Sequence, residues 1–98
     1  MKSLSQLDKE AAEMLAIQAL AFIGDEPQRL AGFLSSSGIA IEQIRGAARE
    51  PGFLAGVLEH MLGDESLLLA FATTADVDPA AIGYARAALA SEGKRRLP

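Results

Sequence analysis

Glycine, aspartate and proline residues divide this chain at short intervals, in positions that end one helix and begin the next. They occur together at residues 24–27 (Gly-Asp-Glu-Pro), 63–65 (Gly-Asp-Glu) and 78–79 (Asp-Pro), and singly at Gly38 and Pro51. Glycine ends helices readily, aspartate caps helix starts, and proline is accepted in a first turn. The intervening segments are rich in Ala, Leu, Glu, Gln and Arg, and none alternates with a period of two. The sequence therefore predicts an all-α fold, a compact bundle of six short helices.

We predict helices at residues 6–23, 26–36, 41–49, 51–62, 65–74 and 79–90. Carboxylates stand at three of the predicted starts, where Asp25, Asp64 and Asp78 can accept hydrogen bonds from unpaired backbone N–H groups. Ser5 with Asp8 resembles a capping box for the first helix. The third helix is expected to begin after Ala40, which has no side-chain acceptor. Helix 5 is apolar over residues 67–72, and we expect a helix apolar on all sides to lie at the centre of the bundle.

The length and composition favour one small domain of residues 1–98, with an ordered core of about residues 5–91 and a flexible tail of residues 92–98. Half of the residues are hydrophobic, enough for a core without staples. Because the chain has no cysteine, disulfides and cysteine-rich zinc sites are excluded. Charged residues interrupt any signal-like apolar segment near the N-terminus, and with the lack of cysteine this leads us to expect a cytoplasmic location. No apolar run reaches the ~18 residues that a membrane span needs. The net charge of −4 disfavours nucleic acid as a partner.

The two halves of the chain resemble each other at an offset of 39 residues. Gly-Asp-Glu at residues 24–26 returns at residues 63–65, and Leu-Ala at residues 30–31 returns at 69–70. Alanine and leucine are so common here that their identities count for little. The Gly-Asp-Glu match counts for more, because it coincides with a helix boundary in each half. We therefore hypothesise two three-helix repeats, helices 1–3 and helices 4–6.

Four segments together resemble one known protein family. They are residues 16–23 (AIQALAFI), 29–34 (RLAGFL), 51–72 (PGFLAGVLEHMLGDESLLLAFA) and 78–82 (DPAAI). The chain resembles a family of short bacterial proteins, mostly alphaproteobacterial, known only as a domain of unknown function. The resemblance implies a bacterial, cytoplasmic and all-helical protein, and it brings no catalytic residue or substrate. At Ala40 the chain departs from the family, in which an Asp or a similar cap is expected.

Few residues are candidates for chemistry. Two pairs of carboxylates, Asp25-Glu26 and Asp64-Glu65, could bind a metal, but capping at a helix start explains them without one. His60 is the only histidine, and neither a second ligand nor a nucleophile motif accompanies it. We therefore expect no catalytic residue, no metal, no cofactor and no enzyme activity. An enzyme centred on His60 and these two pairs of carboxylates, which we call the acidic corners, is the weakest hypothesis.

Residues 30–47 resemble a helix-turn-helix, with predicted helices 2 and 3 joined by a turn at Gly38. In a DNA-binding regulator, the second helix would be lined by Glu42, Gln43, Arg45 and Arg49. Glu42 and Glu50 cancel much of that positive charge, whereas phosphate contacts need a basic surface. DNA binding through helices 2 and 3 is kept as the alternative function.

The function that we expect is a non-enzymatic protein–protein interaction or regulatory module. The chain has many apolar residues for its size, and some are expected to form an open apolar face, which is typical of an interface. The residues predicted for this interaction surface are Phe53, Val57, His60 and Tyr84. The partner is either another protein or a second copy of the chain in a homodimer.

Overall fold

The computed structural model describes the backbone of residues 9–95 and the side chains of residues 9–90. The described chain forms six helices and no strand, which confirms the predicted fold class. The helices are α1 (Lys9–Gly24), α2 (Pro27–Ser37), α3 (Ile41–Ala47), α4 (Pro51–Leu62), α5 (Glu65–Ala75) and α6 (Pro79–Arg95). The molecule measures 37 × 36 × 19 Å, so it is about two helices thick.

The centre of the bundle is built from α1, α4 and α6, whose three mutual interfaces are the most extensive in the fold. From α4, Leu54, Val57, Leu58 and Met61 are buried. Their spacing of three and four residues places them on one face of that helix. Across from them, α1 and α6 contribute many small side chains, which let the helix axes approach closely. These buried alanines are Ala12, Ala16 and Ala19 of α1 and Ala81 and Ala85 of α6.

The prediction that helix 5 occupies the centre is wrong. In α5 only Phe71 and Ala72 are buried, and Leu69 is 47% exposed. Residues 67–68, 71–72 and 75 form a stripe at four-residue spacing that packs on the core, while the opposite side of α5 faces solvent. The stripe cannot be recognised in the sequence, because all positions of residues 67–72 are apolar and none marks the solvent side. The central position belongs to α4.

The side-chain caps at the helix starts agree with the prediction for Asp64 and Asp78 but not for Asp25. Asp64 caps α5, since its Oδ1 accepts a hydrogen bond from the Leu67 N–H at 3.2 Å. Asp78 accepts one from the Ala80 N–H at 2.9 Å. The same prediction for Asp25 is wrong, because the residue before a proline is held in an extended conformation. Glu26 precedes Pro27 and is the N-cap of α2, with φ −129° and no side-chain capping bond.

Several boundaries and extensions differ from prediction. Helix 3 begins at Ile41 as predicted but ends at Ala47, two residues early, and α6 continues to Arg95 rather than ending near residue 90. Part of the tail predicted to be flexible is therefore helical. The predicted start of helix 1 at residue 6, the capping box of residues 5–8 and the end of the tail at 96–98 lie outside the described residues.

The repeat hypothesis stays a prediction. The two helices that would correspond at the ends of the halves, α3 and α6, differ in length and in packing. α6 has 17 residues and packs on α4 and α1, whereas α3 has seven residues and buries none. The acidic corners differ as well, because the cap is the aspartate in one corner and the glutamate in the other.

Candidate functional site: a groove between helices α2 and α4

A surface groove of about 560 Å³ lies between α2 and α4. It falls within the size range of small-ligand and anchor-residue pockets. Aromatic rings form its apolar part, and hydroxyl and carboxylate groups stand among the remaining lining residues. The residues that line it are Phe33, Ser36 and Ser37 of α2, Phe53, Gly56, Glu59 and His60 of α4, and Gly63 and Asp64 of the following turn. We call this feature the α2/α4 groove.

Helical spacing explains how α4 contributes its side of the groove. Phe53, Gly56, His60 and Gly63 follow each other at three- or four-residue steps, so they share one face of the helix. The two glycines carry no side chain, and a Cβ built on Gly56 meets no atom within 4 Å. The open space therefore arises largely because Gly56, between Phe53 and His60, has no side chain to fill it.

Phe33 forms the floor of the groove and joins its two walls. Its side chain is 2% exposed, and it packs into the main core. The Phe53 ring lies edge-on to it, with centroids 6.0 Å apart and an interplanar angle of 77°. His60 lies in the same way at 5.2 Å and 79°. Edge-to-face pairs add about 0.5–1.5 kcal/mol beyond their buried area, so the three rings hold one another in place.

The polar residues of the groove lie at its edges. Ser36 and Ser37 end α2, Glu59 projects from α4, and all three are exposed. Asp64 already accepts the Leu67 N–H through Oδ1 as the cap of α5. The charged lining residues, Glu59 and Asp64, are both acidic. The groove therefore combines an aromatic floor with a negative rim.

The structure brings together two of the four residues predicted for the interaction surface, Phe53 and His60. Val57 does not belong to that surface, because it is 0% exposed and packs in the core. It lies between the two groove residues in sequence but on the core side of α4, since a helix turns by about 100° per residue. Tyr84 of α6 is 40% exposed and is not part of the groove lining.

Phe33 lines the groove and also packs in the core, although it is not among the residues predicted for the interaction surface. It belongs to both places, since a ring buried at its back can still present an edge to a groove. Nothing local in α2 signals that its partner rings come from a helix some twenty residues further along the chain. Ser36 and Ser37 carry no sequence signal for a groove either, because polar residues are common where a helix ends.

The two acidic corners do not form a joint site. Asp64 lines the α2/α4 groove, whereas Asp25 lines a different groove of about 320 Å³ between α1 and α5, together with Phe22 and Phe71. No group of three or more His, Cys, Asp and Glu residues suited to hold a metal occurs in the described part of the chain. His60 faces an aromatic ring rather than a carboxylate cluster.

The arrangement of α2 and α3 differs from that of a DNA-reading pair. Helix α3 buries no residue, and Ile41 is 55% exposed. A recognition helix has to be braced by its neighbour to enter the major groove in a fixed orientation. Here α2 packs on α1 and α4 instead. Gly38 does end α2 in the left-handed conformation, with φ 74°.

Comparison with known proteins gives one match. Residues 9–92 match the model of a family described as "Protein of unknown function (DUF3572)". The match confirms the resemblance to a domain of unknown function seen in the sequence. No curated protein and no solved structure matches the chain. Among the helices formed by residues 9–95, none has the length and apolar character needed to cross a bilayer.

Proposed function

The chain belongs to the DUF3572 family of proteins of unknown function, and from its geometry we propose that it is a non-enzymatic interaction module that binds a protein partner in the α2/α4 groove. In this role the bundle is a rigid support and the groove is the working surface. A regulatory effect would follow from occupation of the groove rather than from a chemical step in it.

The observation that carries this proposal is the set of three rings at the groove. Phe33 is fixed by the core behind it, and Phe53 and His60 are fixed by their edge-on contacts with it. Aromatic side chains are enriched where protein interfaces derive their binding energy. A pocket whose walls are already ordered loses little conformational entropy when an anchor side chain enters it.

The position of the groove on the molecule also supports a macromolecular partner. Its rim residues Ser36, Ser37 and Glu59 are exposed at the surface. An anchor side chain in the groove would therefore leave its backbone lying across the rim, where serine hydroxyls can donate or accept hydrogen bonds and the carboxylate can accept them. Interfaces commonly have this plan of an apolar centre and a polar margin.

Gly56 provides the test, because a larger side chain there fills the groove without disturbing the core. Gly56→Leu has room for its Cβ and replaces glycine with a better helix former. Gly32→Leu is the matched control, an exposed helix-interior glycine of α2 with open space around it and outside the groove lining. We expect a partner captured from the source organism by the wild type and by Gly32→Leu to be lost with Gly56→Leu. Equal recovery with all three forms would refute a role for the groove.

Self-association is a second form that the interaction can take. Met14 and Ile17 of α1 are 59% and 49% exposed and lie three residues apart on one face, which continues to the exposed Ala21. Such an apolar stripe favours pairing with a second copy through α1. Sedimentation of the wild type and of Met14→Lys/Ile17→Lys at micromolar concentration distinguishes the cases. A dimer that the double substitution dissociates supports pairing, and a monomeric wild type excludes it.

The location that we infer is the cytoplasm. The support is that a chain without cysteine forms no disulfide and therefore has no need of an oxidising compartment. Fractionation of the source organism, followed by detection of the untagged protein, tests this inference. Recovery in a membrane or extracellular fraction would contradict it.

A further inference from the structure

We propose that the α2/α4 groove accepts an arginine side chain presented by the protein partner. This inference rests on the proposed function and names the chemistry of the partner. It follows from three properties of the groove, namely its aromatic floor, its acidic rim and its hydroxyl-bearing edge. Each property matches a different part of the arginine side chain.

The aromatic part of the groove suits the apolar stem of an arginine side chain. The half-buried Phe53 presents ring carbon to the groove beside Phe33, which is 2% exposed, and arginine packs its methylene stem on such surface. The delocalised guanidinium is attracted to the face of an aromatic ring and is less strongly hydrated than a lysine ammonium. An aliphatic anchor such as leucine would contact the rings but not the polar groups of the rim.

The rim supplies the charge that complements a cation. The charged residues of the groove lining are Glu59 and Asp64, and neither lysine nor arginine occurs among the lining residues. Ser36 and Ser37 add hydroxyl oxygens on the opposite wall. A guanidinium carries five N–H donors in a fixed plane, so carboxylate and hydroxyl acceptors on two walls can be contacted together.

The protein already contains this mode of binding within its own fold. The Arg29 guanidinium lies 4.0 Å from the centroid of the Phe22 ring, and its Nη1 donates a hydrogen bond to the Phe22 carbonyl at 3.1 Å. Its Nε lies 4.0 Å from Oε1 of Glu26. Ring face, oxygen acceptor and carboxylate are thus combined around one arginine at the α1–α2 corner. The groove brings hydroxyl and carboxylate oxygens together with the half-buried Phe53 ring, and the arginine position there is open to a partner.

Titration of the ¹⁵N-labelled full chain with three blocked amino acids tests the assignment. The probes are N-acetyl-arginine, N-acetyl-norleucine and N-acetyl-lysine, each as the N-methylamide. Norleucine has a similar apolar stem without charge, and lysine has charge without the planar group. We expect arginine to shift the amide signals of Gly56, His60 and Ser36 with about tenfold higher affinity than norleucine, and lysine to lie between them.

Two double variants identify the source of the preference. Glu59→Gln/Asp64→Asn removes both rim charges, and asparagine keeps the capping function at position 64. Glu42→Gln/Glu65→Gln removes the same charge from exposed residues outside the groove lining. The rim variant should bind the arginine probe about fivefold more weakly and the norleucine probe equally well, while the control variant should change either affinity by less than about twofold.

The outcomes separate this inference from the proposed function. Equal affinity for the arginine and norleucine probes, unchanged in the rim variant, would overturn the arginine assignment and leave an apolar docking groove. Failure of every probe to shift the groove signals would also overturn it. The docking role itself is decided by the comparison of Gly56→Leu with Gly32→Leu, which does not depend on what the anchor is.

Discussion

Arg29 of α2 holds the C-terminal end of α1 through Phe22, donating from Nη1 to its carbonyl oxygen at 3.1 Å while its guanidinium covers the ring of the same residue at 4.0 Å. The last carbonyls of a helix have no partner within it, and this arginine supplies one. The Phe22 ring in turn contacts Phe71 of α5, with centroids 5.5 Å apart. Phe22 of α1 therefore contacts both α2 and α5.

Arg29→Met keeps an apolar stem but loses both the hydrogen bond and the ring contact. We expect the free energy of unfolding to fall by about 1–2 kcal/mol, and Arg29→Lys to recover only part of it because lysine lacks the planar donor group. Urea unfolding followed by circular dichroism measures the change. Arg45→Met on the exposed side of α3 is the control and should stay within about 0.5 kcal/mol of wild type. An equal loss at both positions would contradict the role of the Phe22 contact.

The two acidic corners should respond differently to the same substitution. Asp64→Ala removes a capping bond and should lower stability by about 1 kcal/mol, while Asp64→Asn should be nearly neutral. Asp25→Ala should change stability by less than about 0.5 kcal/mol, because Glu26 is the N-cap there. Thermal unfolding of the three variants gives the comparison. Equal destabilisation by both alanine substitutions would show that the corners act alike, as the repeat hypothesis assumed.

Ala40→Asp should stabilise α3 by about 1 kcal/mol. Half of a capping box is already present, since the Gln43 Oε1 accepts a hydrogen bond from the Ala40 N–H at 2.9 Å. An acceptor at position 40 would complete it by binding the N–H of residue 43. Because α3 is not buried, the gain should appear first as slower hydrogen exchange of its amides. Unchanged exchange in α3 would mean that the cap is not formed there.

Two leucine substitutions test which helix lies at the centre. Leu58→Ala in α4 should lower the free energy of unfolding by about 2–5 kcal/mol, since Leu58 is 0% exposed. Leu69→Ala in α5 should change it by no more than about 0.5 kcal/mol, because Leu69 is 47% exposed. If Leu58→Ala does not fold, the milder Leu58→Val provides a measurable loss. A larger loss of stability from Leu69→Ala than from Leu58→Ala would indicate that α5, and not α4, is the central helix.

Local signals in the sequence were sufficient to predict the helices. Pro51 and Pro79 are the first residues of α4 and α6. Asp64 caps the start of α5, and Asp78 caps the start of α6. Such signals act through atoms within a few residues of one another, so a linear sequence contains them in full. The exception at Asp25 is local too, since it follows from the effect of Pro27 on the residue before it.

Packing order and the groove could not be predicted in the same way. The apolar character of α5 is as high in sequence as that of α4, yet Leu58 is enclosed and Leu69 is not. What differs is which faces the other helices leave open, and this depends on all six together. Phe33 and His60 similarly meet only because α2 and α4 pack side by side. In the sequence Phe33 is one apolar residue among many and His60 is a single histidine, and only the fold makes them neighbours.

The exposure of α3 makes the protein suitable for labelling. The segment from Ile41 to Ala47 contributes nothing to the buried core, and Gly46 has open space around its Cβ position. A cysteine placed at Gly46 would be the only thiol in the chain, because the natural sequence has none. A fluorophore attached there would leave α1, α4 and α6 intact, and its emission would report when a partner covers this side of the molecule.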